Sequence, residues 1–73
     1  MQDLANAKNV ARRVRTLRQA RDLSQLALAS EAGVSLRTIA NLEGGQDASL
    51  DTLRKLAAVL DVTVAELVGG PAA

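Results

Sequence analysis

The chain has 73 residues, enough for one small domain. Of these, 48% are hydrophobic and none is aromatic, so a core must be built from Leu, Val, Ile and Ala. Cysteine and histidine are both absent, which excludes a disulfide framework, a thiolate metal site and the commonest general base. The net charge of +1 hides an asymmetry: residues 1–37 hold seven cationic against three acidic side chains, and residues 38–73 hold two against five.

The first six residues read as a polar lead-in, with Asn6 as a candidate N-cap. From about Ala7 to Arg21 the pattern is helical: Val10, Val14, Leu17 and Arg21 fall on one stripe. Arg12 and Arg15 fall opposite, toward water or a phosphate. Arg18 lies beside the apolar stripe, so its stem should be partly buried and its guanidinium should need an acidic partner. Asp22 stands where the helix should stop, in a left-handed position that favours Gly.

Leu23 to Leu42 organises the rest. Ser24 is placed to cap a helix running to about Ala32, with Leu28, Ala29 and Ala32 inward and Leu26 and Ala27 outside that set. Gly33 stands where the chain must reverse, with Val34 to plug the corner. Ser35 is placed to cap a second helix, to about Glu43, with Ile39 and Leu42 inward. Two short helices joined by a Gly-containing turn form a helix-turn-helix. The second helix carries Ser35, Arg37, Thr38 and Asn41 on its outer face.

Gly44 and Gly45 end that helix, and a short loop, Gln46 to Ala48, follows. Ser49 is placed to cap a fourth helix whose stripe is Leu50, Leu53, Leu56, Ala57 and Leu60. Asp51, Arg54 and Lys55 fall on its wet side. Asp61 and Val62 make a corner. Thr63 and Glu66 have capping-box spacing for a short fifth helix ending near Val68. Residues 69–73 read as a disordered tail. The expectation is an all-α domain of five short helices over residues 7–68. No apolar run reaches the ~18 residues of a membrane span and no signal-peptide pattern opens the chain, so the expected location is the cytoplasm.

The stretch LRQARDLSQLALASEAGVSLRTIANLEGG, followed by SLDTLRKLAAVLDVTVAELV, closely resembles the phage-repressor and Cro-like (XRE-type) helix-turn-helix family. The LSQ opening, the AGVS turn, the end of the third helix and the Leu-rich fourth helix all match, over about Val10 to Val68. The resemblance implies a compact lambda-repressor-like fold and a transcriptional regulator bound to double-stranded DNA. Its third helix would enter the major groove. The base-facing positions are then Ser35, Leu36, Arg37, Ala40 and Asn41. Arg37 suits guanine and Asn41 suits adenine, while Leu36 offers an apolar contact for a thymine methyl. Each has a blander alternative: Leu36 in the core, Arg37 on phosphate alone, Asn41 merely solvated. Ser24 and Gln25, and the loop at Gly45 and Gln46, are the implied backbone-phosphate contacts. Asp47, and Ala48 where the family often has Pro, depart from the pattern in that loop.

The resemblance also pairs Arg18 with Glu43 as a structural ion pair. It implies a homodimer on a palindromic operator, with Val64 and Val68, which lack an evident intramolecular home, at the seam. No catalytic residue, metal, cofactor or small-molecule ligand is expected. Two other functions stay open: the DNA-binding antitoxin of a toxin–antitoxin pair, and a protein-interaction module that has lost DNA binding.

Overall fold

In a computed structural model describing residues 7–69, the chain forms five helices: α1 (Ala7–Ala20), α2 (Gln25–Ala32), α3 (Leu36–Glu43), α4 (Leu50–Leu60) and α5 (Val64–Leu67). Residues 1–6 and 70–73, and with them the Asn6 cap and most of the expected tail, lie outside the described residues. α2 packs on α3 and on α4, α1 packs on α3 and α5, and α4 packs on α5. The core between them is aliphatic: Val10, Val14, Leu28, Ile39, Leu42, Leu53, Leu56, Leu60 and Leu67 are its larger buried members. No described helix is long and apolar enough to cross a membrane.

The helix starts share one chemistry. Ser24, Ser35, Ser49 and Thr63 each adopt extended backbone and accept, through the side-chain hydroxyl, the N–H three residues on. This satisfies one of the donors that a helix start leaves without an intrahelical acceptor. At Thr63 the box closes in both directions, because the Thr63 N–H donates to Glu66 Oε1 at 2.8 Å. That backbone hydrogen bond, with a second from the Thr63 hydroxyl, holds the Glu66 carboxyl below its ordinary range.

The helix ends share another. After α1 to α4 the chain passes through a left-handed residue: Asp22 (φ 57), Gly33 (φ 73), Gly45 (φ 99) and Asp61 (φ 58). In each case the next N–H reaches back five residues. Leu23 donates to Arg18, Val34 to Ala29, Gln46 to Asn41 and Val62 to Ala57, all at 3.0–3.1 Å. This is the Schellman closure, which satisfies the last carbonyls and turns the chain sharply. Leu23, Val34 and Val62 then fold their side chains against the core, so three of the four turns are pinned by an apolar contact as well as by hydrogen bonds, while the turn after α3 has the exposed Gln46 there.

Three packing expectations need correction. Leu50, assigned to the buried stripe of α4, is 53% exposed. It is the first residue after the Ser49 cap, and buried contact on that face begins a turn later at Leu53. Arg21 is exposed and lies beyond α1, which ends at Ala20; among the described residues its side chain makes only a 3.9 Å surface pair with Asp61. Val64 and Val68 do have an intramolecular home: both are partly buried against the core.

The two aspartates at left-handed positions give a stability test. An L-residue there carries a steric penalty of roughly 1–2 kcal/mol, less for Asp, and Gly carries none. Asp22→Gly and Asp61→Gly should each raise stability by about 0.5–1 kcal/mol, partly offset by the freer unfolded chain. Far-ultraviolet circular dichroism should show a higher melting midpoint for each, and a lower one for Asp22→Ala. A midpoint for Asp22→Gly at or below that of Asp22→Ala would contradict the account.

Candidate nucleic-acid interface

The site is built on α3, whose two faces differ in kind. Ile39, Leu42 and Glu43 face inward and are buried. Leu36, Arg37, Ala40 and Asn41 are all exposed, and Ser35 at the cap is exposed with them. At one helical turn per 3.6 residues, positions 36, 37, 40 and 41 share one side of the helix. Leu36 is 44% exposed, so it belongs to this outer face and not to the core. Among the described residues, no hydrogen bond or ion pair engages the Arg37 guanidinium or the Asn41 side-chain amide. Ser35 and Thr38 are less available, because their hydroxyls bond each other at 2.9 Å.

What fixes α3 in place is the carboxylate at its last residue. Glu43 is 6% exposed, the one polar residue buried among those described. Arg18 reaches it from α1 with two parallel bonds, Nε to Oε2 at 2.7 Å and Nη2 to Oε1 at 3.0 Å. The third nitrogen of that guanidinium, Nη1, donates to the Leu23 carbonyl at 2.8 Å. Gln25, at the start of α2, donates to Glu43 Oε1 at 3.1 Å. Arg15 donates to the Glu43 main-chain carbonyl at 2.9 Å, with its Nε 3.9 Å from the carboxylate. One side chain thereby joins α1, the α1–α2 turn and α2 to the end of α3. No buried side-chain nitrogen or oxygen among the described residues lacks a partner.

The electrostatics follow. Burial by itself would raise the Glu43 carboxyl. The hydrogen bonds from Arg18 and Gln25, with the charges of Arg18 and Arg15, outweigh it and hold the group below its ordinary value. The same bond to Glu43 raises Arg18, against a smaller opposing effect of burial. Arg15 and Gln25 were not assigned to this cluster from the sequence. The spacing of Arg15 and Arg18, three apart on α1, was the available signal, since it puts both guanidinium groups over the same neighbour.

The other candidate positions flank α3. Ser24 is exposed and its hydroxyl caps α2 through the Ala27 N–H. Gln25 is half-buried, its amide nitrogen already engaged by Glu43. At the far end, the N–H groups of Gly44, Gly45 and Gln46 donate to Ala40 and Asn41, to Leu42, and to Asn41 respectively. They close α3, so these three amides are engaged, while the Gln46 and Asp47 side chains of the loop are exposed. Val64 and Val68 stand well apart in role, at and just after α5, each keeping some exposed surface.

A helix-turn-helix that buries one side of its second helix and presents the other with unengaged donors and acceptors defines a recognition domain. A helix-turn-helix family model, HTH_3, matches residues 14–67. The fold is similar to the structure described as the master regulator for biofilm formation SinR in complex with DNA. The two are 31% identical with a TM-score of 0.77, covering 81% of this chain and 97% of that one. It is similar also to the restriction-modification controller protein C.AhdI from Aeromonas hydrophila, at 36% identity and a TM-score of 0.78, covering 86% and 97%. An HTH_3 family transcriptional regulator from Vibrio cholerae aligns at 28% identity and a TM-score of 0.80, over 90% of this chain and 38% of the longer relative. No curated protein matches the chain at the sequence level. The chain belongs to the HTH_3, or XRE-type, helix-turn-helix family of DNA-binding transcriptional regulators.

The Glu43 cluster makes two predictions. Arg18→Ala strands a carboxylate that is nearly inaccessible, and should cost about 3 kcal/mol, whereas replacing both partners with apolar residues, as in Arg18→Met with Glu43→Leu, should recover much of that loss. Thermal melts of the single and double variants decide it; an unchanged midpoint for Arg18→Ala would remove the structural role. The second concerns pH. The folded-state carboxyl lies below its unfolded value of about 4.3, so its stabilisation is complete above that value and is lost as pH falls through the depressed folded pKa. The stability gap between wild type and Glu43→Gln should therefore be widest near neutrality and narrow below about pH 4. Denaturant titrations across that range check it, and a gap independent of pH would contradict it.

Proposed function

We propose that the protein is a sequence-specific regulator that binds a palindromic operator as a homodimer, with α3 in the major groove of each half-site. The observation that carries this reading is the outer face of α3. It holds an arginine and an asparagine whose side chains have no partner among the described residues, beside two small or apolar side chains, on a helix locked at its far end by a buried ion pair. Arg37 has the geometry to donate two bonds to guanine O6 and N7, and Asn41 to pair with adenine N6 and N7. Leu36 and Ala40 then supply the apolar contacts that favour a thymine methyl. The likeness to SinR, crystallised in complex with DNA, supports DNA binding.

One helix reads too few base pairs for useful selectivity. Two related by a two-fold axis reach successive major grooves about 34 Å apart. The surface offered for that axis is the α5 end, where Val64 and Val68 cover part of the core and leave the remainder exposed. Paired across the axis, the exposed parts of both valines would be withdrawn from water.

Affinity selection from a random duplex pool at physiological salt tests the reader. The expected result is a palindromic consensus with half-site centres near one helical turn. With Arg37→Ala and Asn41→Ala combined, the consensus should blur, each lost base pairing costing about 1–3 kcal/mol of discrimination. A consensus that survives the double variant unchanged would remove α3 as the reader. Sedimentation tests the dimer: monomer behaviour up to about millimolar concentration, together with one protein per bound duplex, would overturn it.

A further inference from the structure

The loop after α3 offers a phosphate neither a positive charge nor its glycine amides. Its amides at Gly44, Gly45 and Gln46 are engaged in closing the helix, and its one charge is that of Asp47. The helix that packs beside it offers the opposite. Lys8, Arg12 and Arg15 recur at i, i+4 and i+7 on α1 and therefore share one stripe. With Ala11, Glu43, Gly44 and Gly45 they line an open cleft of about 210 Å³. From this arrangement we propose that the cleft between α1 and the α3–α4 turn receives a backbone phosphate of the same duplex that α3 reads, with Arg12 as the contacting residue. The inference rests on the DNA-binding reading above.

Four observations bear on it. Gly44 is exposed and continues the outer face of α3, four residues beyond Ala40, so the cleft adjoins the proposed recognition surface. The two glycines present no side chain that would hold a sugar-phosphate strand away from α1. The Glu43 carboxylate is buried against Arg18, so it subtracts little from the positive field of the stripe. Arg15 is already anchored to the Glu43 carbonyl, whereas Arg12 is exposed and has no hydrogen bond or ion pair among the described residues. Arg12 is therefore the donor in the cleft that is both charged and uncommitted. A phosphate held there would position the protein on the duplex without reading sequence.

The test is the salt dependence of binding, followed by fluorescence anisotropy. One labelled duplex carries the strongest selected sequence, and a scrambled duplex of equal length is measured in parallel. For Arg12→Ala, affinity for both duplexes should fall several-fold at low salt. The slope of log affinity against log salt concentration should lose about 1.8 per bound dimer, about 0.9 for the counterion released at each half-site. The selected consensus should not change, and the melting midpoint should stay near wild type because Arg12 is exposed. Arg54→Ala, an exposed arginine of α4 that does not line the cleft, serves as the control and should keep the wild-type slope. An Arg12→Ala protein indistinguishable from Arg54→Ala in slope and affinity would overturn the proposal while leaving DNA binding intact. So would a shifted consensus, because it would make Arg12 a base reader. A wild-type protein that binds neither duplex would overturn the DNA-binding reading itself, and the phosphate site with it.

Discussion

The structure depends on one carboxylate. Glu43 ends the recognition helix and is almost fully removed from water, a position that a lone anion could not occupy. It is tolerated because Arg18 meets it in fork geometry, Gln25 adds a third donor and Arg15 takes the adjoining carbonyl. Such a cluster is a poor source of net stability compared with aliphatic packing. Its contribution lies in registration: α1, α2 and the end of α3 must all be placed correctly for every donor to find its acceptor. A helix that presents side chains to an outside partner needs that fixed orientation more than it needs additional burial.

The remaining geometry comes from a repeated local device at the helix termini. A hydroxyl starts each of α2 to α5, and a left-handed residue ends each of α1 to α4. With helices of eight to fourteen residues in α1 to α4, propagation alone contributes little, and the termini and tertiary packing decide whether the helices form. The two aspartates among the left-handed residues show that the backbone path is imposed by the fold, since the side chain there does not favour it.

These termini are also why so much of the fold was legible. Ser24, Ser35, Ser49 and Thr63, with Asp22, Gly33 and Asp61, mark the boundaries in the sequence by chemistry that acts over three to five residues. The outer face of α3 was read from its own residues, and the family pattern added Leu36 and Ala40 to it. What stayed hidden depends on tertiary reach. Leu50 fits the period of α4, but period gives direction and not how far the neighbouring helices extend to cover it. Val64 and Val68 appeared homeless because α5 is too short for a stripe to be defined. The engagement of Gln25 and Arg15 by Glu43 spans 18 and 28 residues, and beyond the three-residue spacing of Arg15 and Arg18 nothing local marks it. The closure of α3 by the Gly44–Gln46 amides was local, yet a Gly-Gly pair in sequence does not reveal whether its N–H groups face a carbonyl or solvent.

The all-aliphatic interior has an optical consequence. Without Trp, Tyr or Phe the protein contributes essentially no near-ultraviolet absorbance and no intrinsic emission. In a mixture with duplex, the near-ultraviolet spectrum therefore belongs to the bases alone. Hypochromism, unstacking or a change in an embedded fluorescent base can be read without a protein background. A single tryptophan placed on an exposed site would be an equally clean reporter of the protein side of the complex.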